Sequence, residues 1–172
     1  MSDAPDPKYL EMFAAWLRSL GQDAAALGEI VGSDGPEDVR RHAAAGLNYL
    51  FKSLDLIPDG IDDLGFLDDA FILRVASSLA NAKDGVMQRL GDDAKAVKDF
   101  MGEDYEKLLA YVKNLHKGAA RGRTVEDIMT DKTARTAFTQ EVAQWSRDYQ
   151  APSFTRDVKT LIKLKAFLHA KL

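Results

Sequence analysis

Leu50-Phe51-Lys52-Ser53-Leu54-Asp55-Leu56-Ile57-Pro58-Asp59-Gly60-Ile61-Asp62-Asp63-Leu64-Gly65-Phe66-Leu67-Asp68-Asp69 decides the fold. Its apolar residues are interrupted by a proline, an Asp-Gly pair and a second glycine. Proline pushes the residue before it out of the α region, so a helix arriving through Leu50 and Leu54 is expected to end near Ile57. Asp59-Gly60 reads as a turn, and a new helix is expected from Gly65 to about Lys83. Phe66–Val75 is apolar almost all round apart from Asp68, Asp69 and Arg74. Such a helix is either centrally buried or meets a partner. The stretch therefore predicts a proline-broken, aspartate-rich helical hairpin at the centre of an all-α bundle.

Helical periodicity continues outward on both sides. Tyr9, Met12, Phe13, Trp16, Leu17 and Leu20 recur at steps of three and four, one apolar stripe. Gly21 reads as a break before a short helix from Asp23 to Val31. Gly32-Ser33-Asp34-Gly35 reads as a loop, with Pro36 at a favoured first helical position. Val39, Ala43, Leu47, Leu50 and Leu54 form the buried stripe of the helix that follows. Val86, Leu90, Ala94, Val97 and Met101 give a further stripe, and after Gly102 so do Tyr105, Leu108, Leu109, Val112 and Leu115. Lys117–Arg123 is small, basic and without periodicity, and reads as a linker. Thr124 and Asp127 have the spacing of a capping box. Phe138, Val142, Trp145 and Tyr149 line the next helix, and Val158, Leu161, Ile162, Leu168 and Leu172 the last. No alternating pattern predicts a strand. The expected organisation is a helical domain over residues 1–117, holding the hairpin (39–79), and a helical extension over 118–172 packed on it.

Composition narrows the function classes. The chain has 172 residues, 46% hydrophobic and 29% charged, as a globular protein does. It has no cysteine, so disulfides, thiolate zinc sites and cysteine nucleophiles are excluded. Its net charge of −4 argues against nucleic acid as a partner. Residues 1–86 carry 15 acidic and 7 basic side chains, whereas residues 87–172 carry 12 acidic and 16 basic. The N-terminus lacks the basic and apolar regions of a signal peptide, and no uncharged apolar run nears the roughly 20 residues of a membrane span. The expected location is cytoplasmic.

The chemistry-bearing feature is the carboxylate cluster Asp55, Asp59, Asp62, Asp63, Asp68 and Asp69, with Lys52 and Arg74 as the nearest cations outside it. Uncompensated carboxylates repel, so something must offset them. Capping is one offset: Asp62 or Asp63 at a helix N-cap and Asp68 and Asp69 in its first turn, each worth about 0.3–1 kcal/mol. A hard cation (Mg²⁺, Mn²⁺ or Ca²⁺) is another, although the spacing is not that of an EF-hand. A basic partner surface is the third. His42, His116 and His169 show no metal-ligand spacing, and helix C-termini account for the last two. Nucleophile-elbow and P-loop motifs are absent. Ser77 and Ser78 read as small packing residues.

Thirteen positions of the hairpin, Tyr49, Leu50, Asp55, Leu56, Ile57, Pro58, Asp59, Ile61, Leu64, Gly65, Leu67, Asp68 and Asp69, match a known pattern. The stretch resembles the signature of the YkvA-like family, a bacterial domain of unknown function. The resemblance covers about 40 residues, Val39 to Leu79, and departs where Leu54 replaces the usual proline. It implies a helical hairpin with Pro58, Gly60 and Gly65 as structural residues, and no reaction. The expected function is thus a non-enzymatic helical interaction or scaffold module with a protein partner and no cofactor. One alternative is a divalent-metal-binding protein or metal-dependent hydrolase using the six aspartates. Another is peripheral membrane contact by the last helix, where Arg156, Lys159, Lys163, Lys165 and Lys171 accompany the apolar stripe.

Overall fold

A computed structural model gives the fold and describes residues 5–52, 56–57, 64–83 and 85–172. It is an all-α bundle. In chain order run α1 (Lys8–Val31), α2 (Glu37–Tyr49), α3 (Leu67–Ala80), α4 (Gly85–Met101), α5 (Tyr105–Lys113), α6 (Val125–Thr130), α7 (Lys132–Asp148) and α8 (Val158–Lys171), with β1 (Ala119–Ala120) and β2 (Arg123–Thr124) between α5 and α6. Short 3-10 turns flank α5 at Gly102–Asp104 and Asn114–Lys117.

α3 is the axis of the bundle. Every residue from Leu67 to Ser77 is buried. Its neighbours are α2, α4 and α1. The circumference that is apolar almost all round thus reflects central burial. Phe13, Trp16, Phe71 and Phe100 interlock there with ring centroids 5.0–6.0 Å apart, mostly edge to face. That geometry sets the positive edge of one ring on the negative face of the next. α3 starts at Leu67, after Phe66 in the left-handed region (φ 70°), and stops at Asn81, also left-handed (φ 53°).

α1 corrects the expected break at Gly21, for it runs unbroken through 24 residues. Glycine costs a helix interior roughly 1 kcal/mol. Here it admits α7. A Cβ at Gly21 would lie 3.1 Å from the Tyr149 ring and one at Gly28 3.0 Å from Val142. The approach is sealed by Ser146 Oγ donating to the Gly21 carbonyl and the Tyr149 hydroxyl donating to the Leu17 carbonyl, both at 2.6 Å.

α2 ends at Tyr49, well short of Ile57. The chain turns over Leu50–Lys52 through backbone bonds from Leu50, Phe51 and Lys52 to Leu47, Asn48 and Tyr49. Ala43 and Leu47 are buried, Val39 and Leu50 half-buried, and Leu54 lies outside the described residues.

The expected linker is a β-hairpin. Ala119 pairs with Thr124 and Ala120 with Arg123. The two residues between them, Arg121 (φ 51°) and Gly122 (φ 77°), both have positive φ, as the tightest hairpin turn requires. Arg121 and Arg123 both hold Glu141 of α7, at 2.8 and 2.5 Å. Their guanidinium groups also lie over the Phe51 and Phe138 rings. The basic residues that suggested a solvated connector are therefore its anchors. The capping box at the start of α6 forms as read, with Asp127 N–H donating to Thr124 Oγ1 at 3.1 Å and Thr124 N–H to Asp127 Oδ2 at 3.0 Å.

α8 buries Leu161, Leu164 and Leu168. Ile162, assigned to that stripe from sequence, instead points outward and is 49% exposed. No helix among the described residues is long and apolar enough to cross a membrane.

Candidate functional site

Of the six aspartates, Asp68 and Asp69 are described. Asp55, Asp59, Asp62 and Asp63, with Pro58 and Gly60, lie outside the described residues. Gly65 is buried in the turn that leads into α3. Asp68 and Asp69 occupy the first turn of α3, where the helix dipole favours negative charge. The N-cap position itself is Phe66, which makes no side-chain cap bond.

Asp68 is fully buried and works as a fastener. Its Oδ2 accepts from the Tyr49 hydroxyl at 2.6 Å and from the Ile57 N–H at 3.4 Å. The Tyr49 oxygen in turn accepts from the Leu56 N–H at 2.7 Å. One phenol thus ties the end of α2, the following loop and the start of α3 together. Burial foremost, then the Asp68 carboxylate, pushes the Tyr49 phenol far above its ordinary value. It therefore stays protonated and keeps donating. Asp69 is also buried, and its charge adds to burial in raising the Tyr149 phenol.

A second polar centre sits further along α3 and was not singled out from sequence. Arg74 has no solvent exposure. Its Nε donates to Asp93 of α4 at 3.2 Å and its Nη1 to the Ala70 carbonyl at 3.1 Å, while its Nη2 stands 3.8 Å from Asp23 of α1. The guanidinium lies 4.1 Å from the centroid of the Trp16 ring. Asp23, also buried, accepts from Arg89 at 2.6 Å and from Ser19 at 2.9 Å. Burial lowers the Arg74 pKa to about 10, against the pull of Asp93 and Asp23, so the group remains charged near neutrality. The sequence signal was a lone arginine in the apolar run Phe71–Ala76. Its partners are 19 and 51 positions away, which no local pattern reveals.

Among the described residues the histidines meet other groups. The His42 ring stands perpendicular to His116, with centroids 5.2 Å apart, and its Nδ1 contacts the Asp38 carbonyl. Burial first, then His42 and Arg41, lowers the His116 pKa. His169, read as a helix-end residue, meets Asp104 at 3.0 Å. Among the described residues no three His, Asp or Glu side chains converge as metal ligands would.

The open feature is a groove of about 820 Å³ at the end of the bundle where α1 stops and α2 and α4 start. Ala26, Glu29 and Ile30 of α1, Pro36, Val39 of α2, Ala82, Lys83, Val86 and Met87 line it. Ile30, Val39, Ala82 and Val86 are left only partly covered by the rest of the core. The volume and lining are those of a binding cleft. Sequence reading missed it because it is assembled from helix ends that are distant in the chain.

Comparison with known proteins agrees with the hairpin. Residues 40–74 match the family model described as "Protein of unknown function (DUF1232)". No curated protein and no solved structure matches the chain. The matched segment begins within α2 and ends at Arg74, so it contains Tyr49, Asp68 and Arg74. Over residues 40–74, then, the chain is similar to a domain of unknown function, in keeping with the YkvA-like resemblance of its hairpin.

Proposed function

We propose that the protein is a non-enzymatic interaction module that receives a protein partner in the groove between the ends of α1, α2, α3 and α4. The observation that carries this reading is the half-covered apolar lining of Ile30, Val39, Ala82 and Val86 in an open cleft of about 820 Å³. Apolar surface gathered in one concavity is the usual mark of a binding site. The buried signature groups support the same reading. Tyr49 and Asp68 bond to each other and to backbone N–H groups, and Arg74 to Asp93 and the Ala70 carbonyl, so these groups serve to join elements of the fold.

Val86→Glu tests the proposal. The site is partly covered and in the first turn of α4, where a carboxylate suits the helix dipole, so the fold is expected to survive. Affinity capture from native lysate should recover a protein with the wild type and lose it with the variant, at unchanged melting temperature. The same proteins with both baits would contradict a role for the groove. The metal-dependent alternative rests on the sequence of the aspartate cluster. It predicts a rise in melting temperature in millimolar Mg²⁺, Mn²⁺ or Ca²⁺ by mass action, and no rise refutes it.

A further inference from the structure

Two surface features stand at opposite ends of the bundle. One is the groove at Ala26–Ile30 of α1 and Val86–Met87 of α4. The other is the outer face of α8. α8 is tied to the other end of both helices: Arg156, just before it, pairs with Glu11 of α1, and Lys165 lies over Phe100 of α4. From Glu11 to Ile30 is about 28 Å along the α1 axis at 1.5 Å per residue. The outer face of α8 therefore cannot reach the groove of its own chain while docked.

The two features are complementary. α8 presents Ile162, the one large apolar side chain exposed among the described residues, at 49%. Lys159 and Ala166 share its face at the helical spacings of three and four, Lys163 is adjacent, and all three are exposed. The groove offers apolar Ile30, Val39 and Val86. Around it Glu29, Asp34 and Glu37 are exposed, against Lys83 as the basic lining residue; Glu37 also holds Arg41. The same polarity runs through the sequence, whose first half is acidic and second half basic.

We propose that the occupant of the groove is a second copy of this chain, which inserts Ile162 of its α8 and surrounds it with Lys159 and Lys163. The inference rests on the groove being a binding surface. A patch that meets a different patch is a heterologous contact, so association proceeds head to tail into rings or open chains. Acidic and basic rims on opposite ends bring the copies together in that orientation, and added salt weakens the contact.

Sedimentation velocity of the full chain over a concentration series tests this. The wild type should gain mass with concentration and lose that gain in high salt. Ile162→Glu, which removes the plug, and Val86→Glu, which spoils the groove, should each remain monomeric. Mixing the two variants should restore a species of two chains and no larger, because the intact plug of one fits the intact groove of the other. A wild type that stays monomeric throughout, or a mixture that does not associate, overturns the proposal. In either case the groove as a site for another protein stands or falls separately, on whether Val86→Glu alters lysate capture.

Discussion

α3 and α8 are both 14 residues long, and both carry charged side chains along an apolar stripe. They use those charges in opposite ways. In α3, Asp68, Asp69 and Arg74 are buried. Asp68 is tied to Tyr49, and Arg74 to Asp93 and the Ala70 carbonyl. In α8, Lys159, Lys163 and Lys171 stand in solvent while Leu161, Leu164 and Leu168 do the packing. A charge in the interior must be matched by partners supplied from other helices, so it fixes how those helices meet. A surface charge leaves the packing alone and remains free to meet another molecule. Charged side chains thus carry architecture in α3 and lie mostly on the surface in α8.

Breaking the interior network should have the largest effect. Arg74→Met leaves Asp23 and Asp93 without their shared cation. Loss of one partner of a buried ion pair costs roughly 3–5 kcal/mol. The low end, about 3 kcal/mol, is expected here, because Asp93 is partly exposed and Asp23 keeps Arg89. Urea unfolding measures it, and a cost under about 1 kcal/mol would show Arg74 to be dispensable to the packing. Tyr49→Phe comes next. It strips the hydroxyl from Asp68 and from the Leu56 N–H. Buried groups deprived of a partner cost about 1–3 kcal/mol. Faster amide exchange at Leu56 should accompany the loss.

His116 sharpens the contrast through pH. Its pKa in the fold is lowered, so the unfolded chain takes up the proton first. Stability from this group is therefore full above the ordinary imidazole value of about 6.5 and declines as pH falls from there to the lowered value. Melting curves across this range should show the decline, and His116→Gln should flatten it. An equal slope in the variant would place the effect elsewhere. The smallest effect belongs to α8. Lys163→Ala, on the exposed face, should change stability by no more than about 0.5 kcal/mol. A larger loss would mean that α8 also spends its charges on the fold.

Much of this architecture was legible in the sequence because it is written locally. The stripes of α1, α4, α5 and α7 repeat at helical spacing, the Thr124–Asp127 box spans three residues, and the nearly all-round apolar character of α3 left central burial as one of two readings. Features made by distant partners were not legible. Gly21 looked like a break because its compensation is the Tyr149 ring just past α7, 128 positions later. β1 and β2 are two residues each, too short for alternation to show. Ile162 fitted the α8 stripe by spacing, yet α8 is covered on one side only. At the candidate site, the signature identified Asp68 and Asp69. Their burial, the Tyr49 bond and the Arg74 network required knowing which helices lie beside α3. The groove required knowing which helix ends meet.

The reading of the signature as a fastener rather than a reactive centre is tested most directly by a double-mutant cycle on Tyr49→Phe and Asp68→Asn, followed by chemical unfolding. Residues in one hydrogen-bond network couple by about 0.5–3 kcal/mol, whereas independent sites add to within about 0.3–0.5 kcal/mol. Coupling above 1 kcal/mol is expected here, at the strong end for a charge-assisted bond of 2.6 Å. Strict additivity of the two losses would contradict it, and would return Asp68 to the group of carboxylates available for chemistry.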